Sequence, residues 1–152
     1  MRTLEVRRHA QRDAASDALS ATGRAQAEDV GRASPTPIDL VFVSPAKRTA
    51  ETVAWILRGA GVQLPPHAVI PGLAAQDNDG SPLAMAGVLS ALLDALPDGG
   101  HGLAVSHTPL IERAVLGLTA REIDPLAECE GVRLTRADDD GEIGVEELRL
   151  RT

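Results

Sequence analysis

Two histidines and two arginines stand where the hydrophobic pattern of this chain places the ends of strands. Arg8-His9 closes a short alternating segment, Leu4 to Arg8. Lys47-Arg48 follows Ser44-Pro45 at the end of the apolar run Asp39 to Ser44. Ser106-His107 ends a second apolar run, Gly102 to Ser106. A neutral imidazole with one ring nitrogen free is a nucleophile near pH 7, and a guanidinium grips an oxyanion through paired, charge-assisted hydrogen bonds. Gathered in one crevice, these groups would make an anion site with a nucleophile in it. Singly, each has a plainer explanation: a polar loop entry, a solvated surface arginine, a satisfied loop histidine. Arg48 nevertheless falls in the first turn of a helix, where the dipole disfavours a cation, and that points to an anionic partner. Joint placement decides the matter, because open α/β sheets gather their ligands at the carboxyl ends of the strands.

The elements that must position these residues alternate along the chain. After the first strand a polar loop holds Gln11, Arg12, Asp13, Ser16 and Asp17, and a helix runs from about Thr22 to Ala33, with Ala25 or Ala27, Val30 and Ala33 on its apolar face. Pro35 and Pro37 stop it. The run Asp39 to Ser44 suits a strand buried on both faces. A second helix is expected from about Ala46 to Arg58, with Ala50, Val53, Ile56 and Leu57 buried and Gly59 ending it. Ala68 to Ile70 reads as a short edge strand. Ser81 and Pro82 then open a third helix with a stripe of Leu83, Ala86, Leu89, Leu92, Leu93 and Leu96. After Gly102 to Ser106, Thr108 and Pro109 are the expected cap and first turn of a fourth helix, which buries Leu110, Ile111, Ala114, Val115 and Leu118. Two alternating segments, Val132 to Arg136 and Ile143 to Leu150, flank Asp138-Asp139-Asp140-Gly141 as a hairpin. This order predicts an α/β fold with a mainly parallel sheet and an antiparallel finish.

Composition narrows the partners. The 152 residues are expected to form a single domain, 1–152, and the formal charge of −7 opposes nucleic-acid backbone and anionic lipid. Phe42 and Trp55 are the only aromatic residues, so base stacking is not a binding strategy here. No run approaches the length of a membrane span, and the first residues lack the apolar stretch of a signal peptide, so the expected location is the cytoplasm. The lone Cys129 excludes an intramolecular disulfide, and no Cys/His spacing fits zinc. Cys129, His67 and His101 are read as structural, and Lys47 as the surface half of a pair with Glu51.

Four motifs in order carry a family resemblance. Arg8-His9-Ala10 stands where an Arg-His-Gly hallmark would. Leu19-Ser20 and Gly23-Arg24-Ala25-Gln26-Ala27 match a Leu-Thr and Gly-Arg-x-Gln-Ala helix start. Ser44-Pro45-Ala46-Lys47-Arg48-Thr49-Ala50-Glu51-Thr52 meets a Ser-Pro-x-x-Arg-x-x-x-Thr signature, and Ser106-His107-Thr108-Pro109 a late Gly/Ser-His-x-Pro motif. Over roughly Met1 to Leu118 the sequence thus resembles the histidine phosphatase superfamily, in particular its short, phosphohistidine phosphatase-like members. The resemblance implies a three-layer α/β/α sandwich of the phosphoglycerate mutase-like kind and a metal-independent phosphatase with no cofactor. It makes His9 the nucleophile that becomes a phosphohistidine, Arg8 and Arg48 the grip on the phosphoryl oxygens, and His107 a further donor to the transferring group.

Family members that cleave alkyl phosphates place a carboxylate opposite the nucleophile, before the third helix. Asp77 is the candidate here and Asp79 the next, with a hydrated turn an equal reading of Asn78-Asp79-Gly80. A phosphoramidate such as phosphohistidine has a better leaving group and depends less on such an acid. The expected substrate is a phosphorylated protein or a small phosphorylated metabolite. The alternative is a phosphate-binding or interaction domain of the same fold with weak turnover. Charged Glu5 and Arg7 in the first strand depart from an apolar family pattern, which predicts salt bridges or a partly open face there. Gln11 stands near the pocket where relatives carry a charge.

Overall fold

The computed structural model describes residues 1–138 and 141–150. Six strands form one sheet: β1 (Arg2–Arg8), β2 (Leu40–Val43), β3 (His67–Val69), β4 (His101–Ser106), β5 (Gly131–Arg136) and β6 (Gly144–Leu148), in the order β3-β2-β4-β1-β5-β6. The first four in that order run parallel; β5 is antiparallel to β1 and β6 antiparallel to β5. Four helices cover it: α1 (Ala21–Arg32), α2 (Lys47–Ala60), α3 (Pro82–Ala95) and α4 (Leu110–Thr119). The expected mainly parallel sheet with an antiparallel finish is therefore observed. Asp139 and Asp140 of the predicted hairpin turn lie outside the described residues.

Strand alternation divides the core into two layers. Leu4, Val6, Phe42 and Ala104 point to one face and meet Leu89, Leu93, Ile111 and Val115 of α3 and α4. Val41, Val43, Leu103 and Val105 point to the other and meet Val30, Val53, Ile56 and Leu57 of α1 and α2. The result is the three-layer α/β/α sandwich. Glu5 and Arg7 project from β1 on the side opposite Leu4 and Val6. Their ion pair, 2.9 Å long, is almost fully buried, with Arg133 3.7 Å from the same Glu5 oxygen. The salt bridges anticipated for these two charges are present. A second Arg7 nitrogen donates to the Cys129 carbonyl at 2.9 Å, which ties β1 to the segment before β5.

Several boundaries differ from expectation for local reasons. Gly59 lies inside α2 and does not end it: a Cβ there would come within 2.0 Å of the Glu28 carbonyl, so this glycine lets α1 and α2 close together. Gly61, at φ +70°, is the residue that ends the helix. Leu83 is 82% exposed. At 100° per residue it falls roughly 120° from the centre of the buried face of α3, and Met85 fills the core in its place. Ala33 and Ala50 are also exposed. On α2 the buried places beside Val53 and Ile56 are taken by Thr49 and Thr52, whose hydroxyls are hydrogen-bonded. On α1, Ala27 is buried and Ala25 exposed. Thr108 does not cap α4. Pro109 occupies that position, and the Thr108 hydroxyl is committed to the Glu112 carboxylate one turn on.

Candidate active site

Register brings three of the four predicted residues, Arg8, His9 and His107, to one end of the sheet, and α2 adds Arg48. Arg8 on β1 lies beside Ser106 on β4, and Val43 on β2 beside Val105, so the next residues, His9, His107 and Ser44, leave adjacent strands at the same end of the sheet. The rings of His9 and His107 stand 5.6 Å apart, edge to face, and Arg48 reaches His107 from the first turn of α2.

His9 is held on both sides of its backbone, its N–H donating to the Ser106 carbonyl at 3.2 Å and its carbonyl accepting from Cys129 N–H at 3.2 Å. Its ring Nδ1 lies 2.8 Å from the Ala10 carbonyl oxygen. A carbonyl only accepts, so Nδ1 carries the proton and the lone pair is on Nε2. Burial lowers the pKa of His9 against the raising effect of the Ala10 bond, and the Arg48 and Arg8 charges lower it further, so the ring is neutral at pH 7. That is the state a nitrogen nucleophile needs. The Ala10 peptide that orients the ring is itself fixed, because its buried N–H donates to the Thr52 hydroxyl at 2.9 Å while that hydroxyl donates to the Arg48 carbonyl at 2.7 Å. Thr52→Val keeps the shape and removes the acceptor. Leaving the amide unpaired should cost about 1–3 kcal/mol of stability, read as a lower midpoint in urea unfolding with an unchanged slope; an unchanged midpoint would show that the amide finds another partner.

Arg48 is gripped from two sides. Its Nη1 donates to Asp17 Oδ1 at 2.5 Å and its Nη2 to His107 Nδ1 at 3.3 Å. Asp17 also accepts from the backbone N–H of Lys47 at 2.9 Å and of Arg48 at 3.4 Å. The reason lies in the sequence of α2: Ala46 at its N-cap has no side-chain acceptor, and the carboxylate of a distant loop supplies one. The bond to Arg48 holds the Asp17 carboxyl below its ordinary pKa, with the two backbone N–H groups adding to the effect. Asp17 appears in the sequence only as part of a polar loop. The signal that could have found it is the missing cap.

His107 is the most strongly shifted group of the site. Burial first, then the Arg48 charge and His9, bring its pKa down to about 4, with Asp17 acting in the opposite direction. Its Nε2 lies 2.6 Å from the Ser44 hydroxyl. Arg8 is half-buried and fixed by a 2.8 Å bond from Nη1 to the Leu126 carbonyl. The Leu126 N–H in turn donates to Glu112 of α4. The segment before β5 thus braces the end of β1 through backbone atoms, which no side-chain pattern announces.

The acid candidates stand differently. Asp77 is exposed in the turn after the 3-10 helix Pro71–Ala74. Asp79 is exposed and accepts from the Ser81 N–H at 2.9 Å, and its hydrogen bonds to Ser81 lower its pKa, which keeps it ionised. Gln11 is turned to Ser20, whose hydroxyl donates to its side-chain oxygen at 2.8 Å. Glu51 accepts weakly from Leu19 N–H and makes no ion pair with Lys47. Cys129 is fully buried and its thiol is pushed up to about 12, so it is inert. Among the described residues no three of His, Cys, Asp and Glu gather as metal ligands would, and no helix is long and apolar enough to cross a membrane.

The site is thus a neutral histidine at a strand end, near two arginines and a second histidine, in a three-layer sandwich, and known proteins share this architecture. Residues 3–75 match the histidine phosphatase superfamily (branch 1). The protein histidine phosphatase SixA, solved with tungstate, is 24% identical with a TM-score of 0.76, over 97% of this chain and 96% of that one. A phosphoserine phosphatase from Entamoeba histolytica, in complex with 3-phosphoglyceric acid, is 16% identical with a TM-score of 0.76 over 99% and 98%. A mycobacterial glucosyl-3-phosphoglycerate phosphatase is 17% identical with a TM-score of 0.62 over 97% of each. No curated protein matches the sequence at a significant level. The family match thus covers residues 3–75, and over nearly its whole length the chain shares the fold of these solved structures.

Proposed function

We propose that this single domain, residues 1–152, hydrolyses phosphoryl groups through a phosphohistidine on His9, with no metal or cofactor. The observation that carries the proposal is the tautomer of His9: Nδ1–H is committed to the Ala10 carbonyl, so the Nε2 lone pair is free among Arg8, Arg48 and His107. In the first half-reaction Nε2 attacks phosphorus, the N–P bond forms, and the bond to the leaving group breaks. Water then attacks the phosphohistidine, the N–P bond breaks, and phosphate leaves. Arg8 and Arg48 neutralise the non-bridging oxygens with His107 as a further donor, and placed charge of this kind is the main service a protein gives phosphoryl transfer. The protein acts in the cytoplasm, away from nucleic acid and membranes.

The proposed substrate is a phosphohistidine-bearing protein, with a small phosphorylated metabolite as the other class. Two observations support the protein-borne group: the exposed positions of Asp77 and Asp79, and the engagement of Asp79 with Ser81. With both acid candidates exposed, a leaving group that needs little protonation is favoured, and Asp77 is the donor proposed for esters. The same observations support a second reading, a phosphate-binding domain with weak turnover.

Phosphate release from a phosphohistidine protein and from p-nitrophenyl phosphate separates these readings. The expected result is faster turnover of the phosphoramidate. Asp77→Asn should slow the release of an alkyl alcohol from its phosphate ester and spare phosphohistidine; equal effects on both would remove Asp77 from the mechanism. No release from any donor, with phosphate still bound, would establish the binding domain.

A further inference from the structure

The hydroxyls behind His107 can point only one way. Thr49 Oγ1 lies 2.7 Å from the Ser44 carbonyl and 2.9 Å from that of Ala46, and carbonyls only accept, so its hydrogen is committed to them. Ser44 Oγ lies 3.1 Å from Thr49 Oγ1 and must therefore be the donor in that contact. With its one hydrogen used, Ser44 can only accept from the ring nitrogen 2.6 Å away, so His107 Nε2 carries a proton. An independent contact at the other side of the ring agrees: the neighbour of Nδ1 is Arg48 Nη2, which can only donate. Resting His107 thus has its lone pair on Nδ1, the nitrogen on the Arg48 side, and offers no hydrogen bond there to an oxyanion.

We infer that Ser44 and Thr49 are positioning residues that lock His107 in the Nε2–H tautomer, so that this histidine becomes a phosphoryl donor only by taking up a proton on Nδ1 when the oxyanion binds. The inference rests on the phosphatase reading of the same site and adds a proton to its binding step. The groups facing His107 make the resting ring hard to protonate and the occupied one easy. Arg48 from α2, and His9 and Arg8 from the end of β1, oppose a positive charge; Asp17 from the loop before α1 favours it; a bound dianion would add two negative charges among them. Affinity for a dianion must then strengthen as the pH falls, by linkage.

Tungstate serves as the probe, being a dianion with no proton of its own to lose near neutrality. Calorimetry in buffers of different ionisation enthalpy should show proton uptake on binding between about pH 6 and 8, growing as the pH falls and approaching about one per site. In Ser44→Ala the neutral ring can place its proton on Nδ1 and donate without uptake, so the uptake should fall by about half or more and the pH dependence of affinity should flatten. Thr49→Val, which frees the Ser44 hydroxyl to reverse, should shift both in the same direction. Any uptake on His9 is common to all three proteins and cancels in the comparison. Ring nitrogen shifts of His107 in the free protein should show Nε2 protonated and Nδ1 not. Tungstate binding without uptake, equal uptake in wild type and both variants, or a protonated Nδ1 at rest would overturn the inference and leave the phosphatase reading standing. Failure to bind tungstate at all would overturn both.

Discussion

His9→Ala should reduce phosphate release from every donor by about a thousandfold or more, because in the proposed mechanism it removes the atom that would form the covalent intermediate and not merely a contact to it. Neighbouring groups cannot substitute. The other histidine of the site has its Nε2 committed to Ser44 and Nδ1 facing the Arg48 guanidinium, which leaves neither nitrogen in the position of the open Nε2 of His9. Labelled phosphate from a substrate quenched during turnover should appear on the wild-type chain as an acid-labile, alkali-stable adduct and be missing from the variant. A rate that survives His9→Ala, or an adduct still present in it, would place the nucleophile elsewhere. The pH profile tests the same nitrogen. Because burial leads the effects that lower the pKa of His9, the ring stays neutral to below the ordinary histidine range, and the acid limb of kcat/KM should have its midpoint below 6.5. A midpoint above 6.5 would mean that the ring is not desolvated in solution.

How much of this site was legible in the sequence depends on whether a residue acts through its own side chain or through someone else's backbone. His9, Arg8, Arg48 and His107 were legible, since each is a charged or titratable residue at or just beyond the end of a strand-like run, and three such ends in a parallel sheet lie together by topology. Asp17 was not. It is 31 residues from Arg48 and in a loop without periodicity, and only the bare N-cap of α2 calls for it. Thr49 falls on an unspecified place of the Ser-Pro-x-x-Arg-x-x-x-Thr signature, yet it is buried, and its hydroxyl has carbonyls to donate to. Leu126 contributes a carbonyl oxygen to Arg8, and no side-chain pattern encodes that. The misplaced boundaries follow the same division. Gly59 reads as a helix end by type, whereas its role is set by the Glu28 backbone of another helix. Leu83 belongs by composition to the apolar stripe, but its place around α3, roughly 120° from the buried face, leaves it in solvent.

Arg48→Lys keeps a charge at the site and should still lower kcat/KM by about a hundredfold to a thousandfold, which is the scale of losing a fixed donor to the developing oxyanion, roughly 2.7–4 kcal/mol. A lysine has no planar fork, so it cannot hold Asp17 and His107 with two nitrogens and present the remaining N–H groups to the phosphoryl oxygens. Arg48→Ala should cost more. Asp17→Ala should cost less than either, since the guanidinium and its charge remain, but the first turn of α2 loses its cap, worth about 1 kcal/mol, and Arg48 loses its restraint. If Asp17 works through Arg48, the two effects cannot add. Measured as kcat/KM, Asp17→Ala should be nearly silent in an Arg48→Ala background, whereas a role in capping alone would leave its cost the same in both. Equal costs in the two backgrounds would therefore reduce Asp17 to a structural cap, and unequal ones would make it part of how the protein aims its anion site.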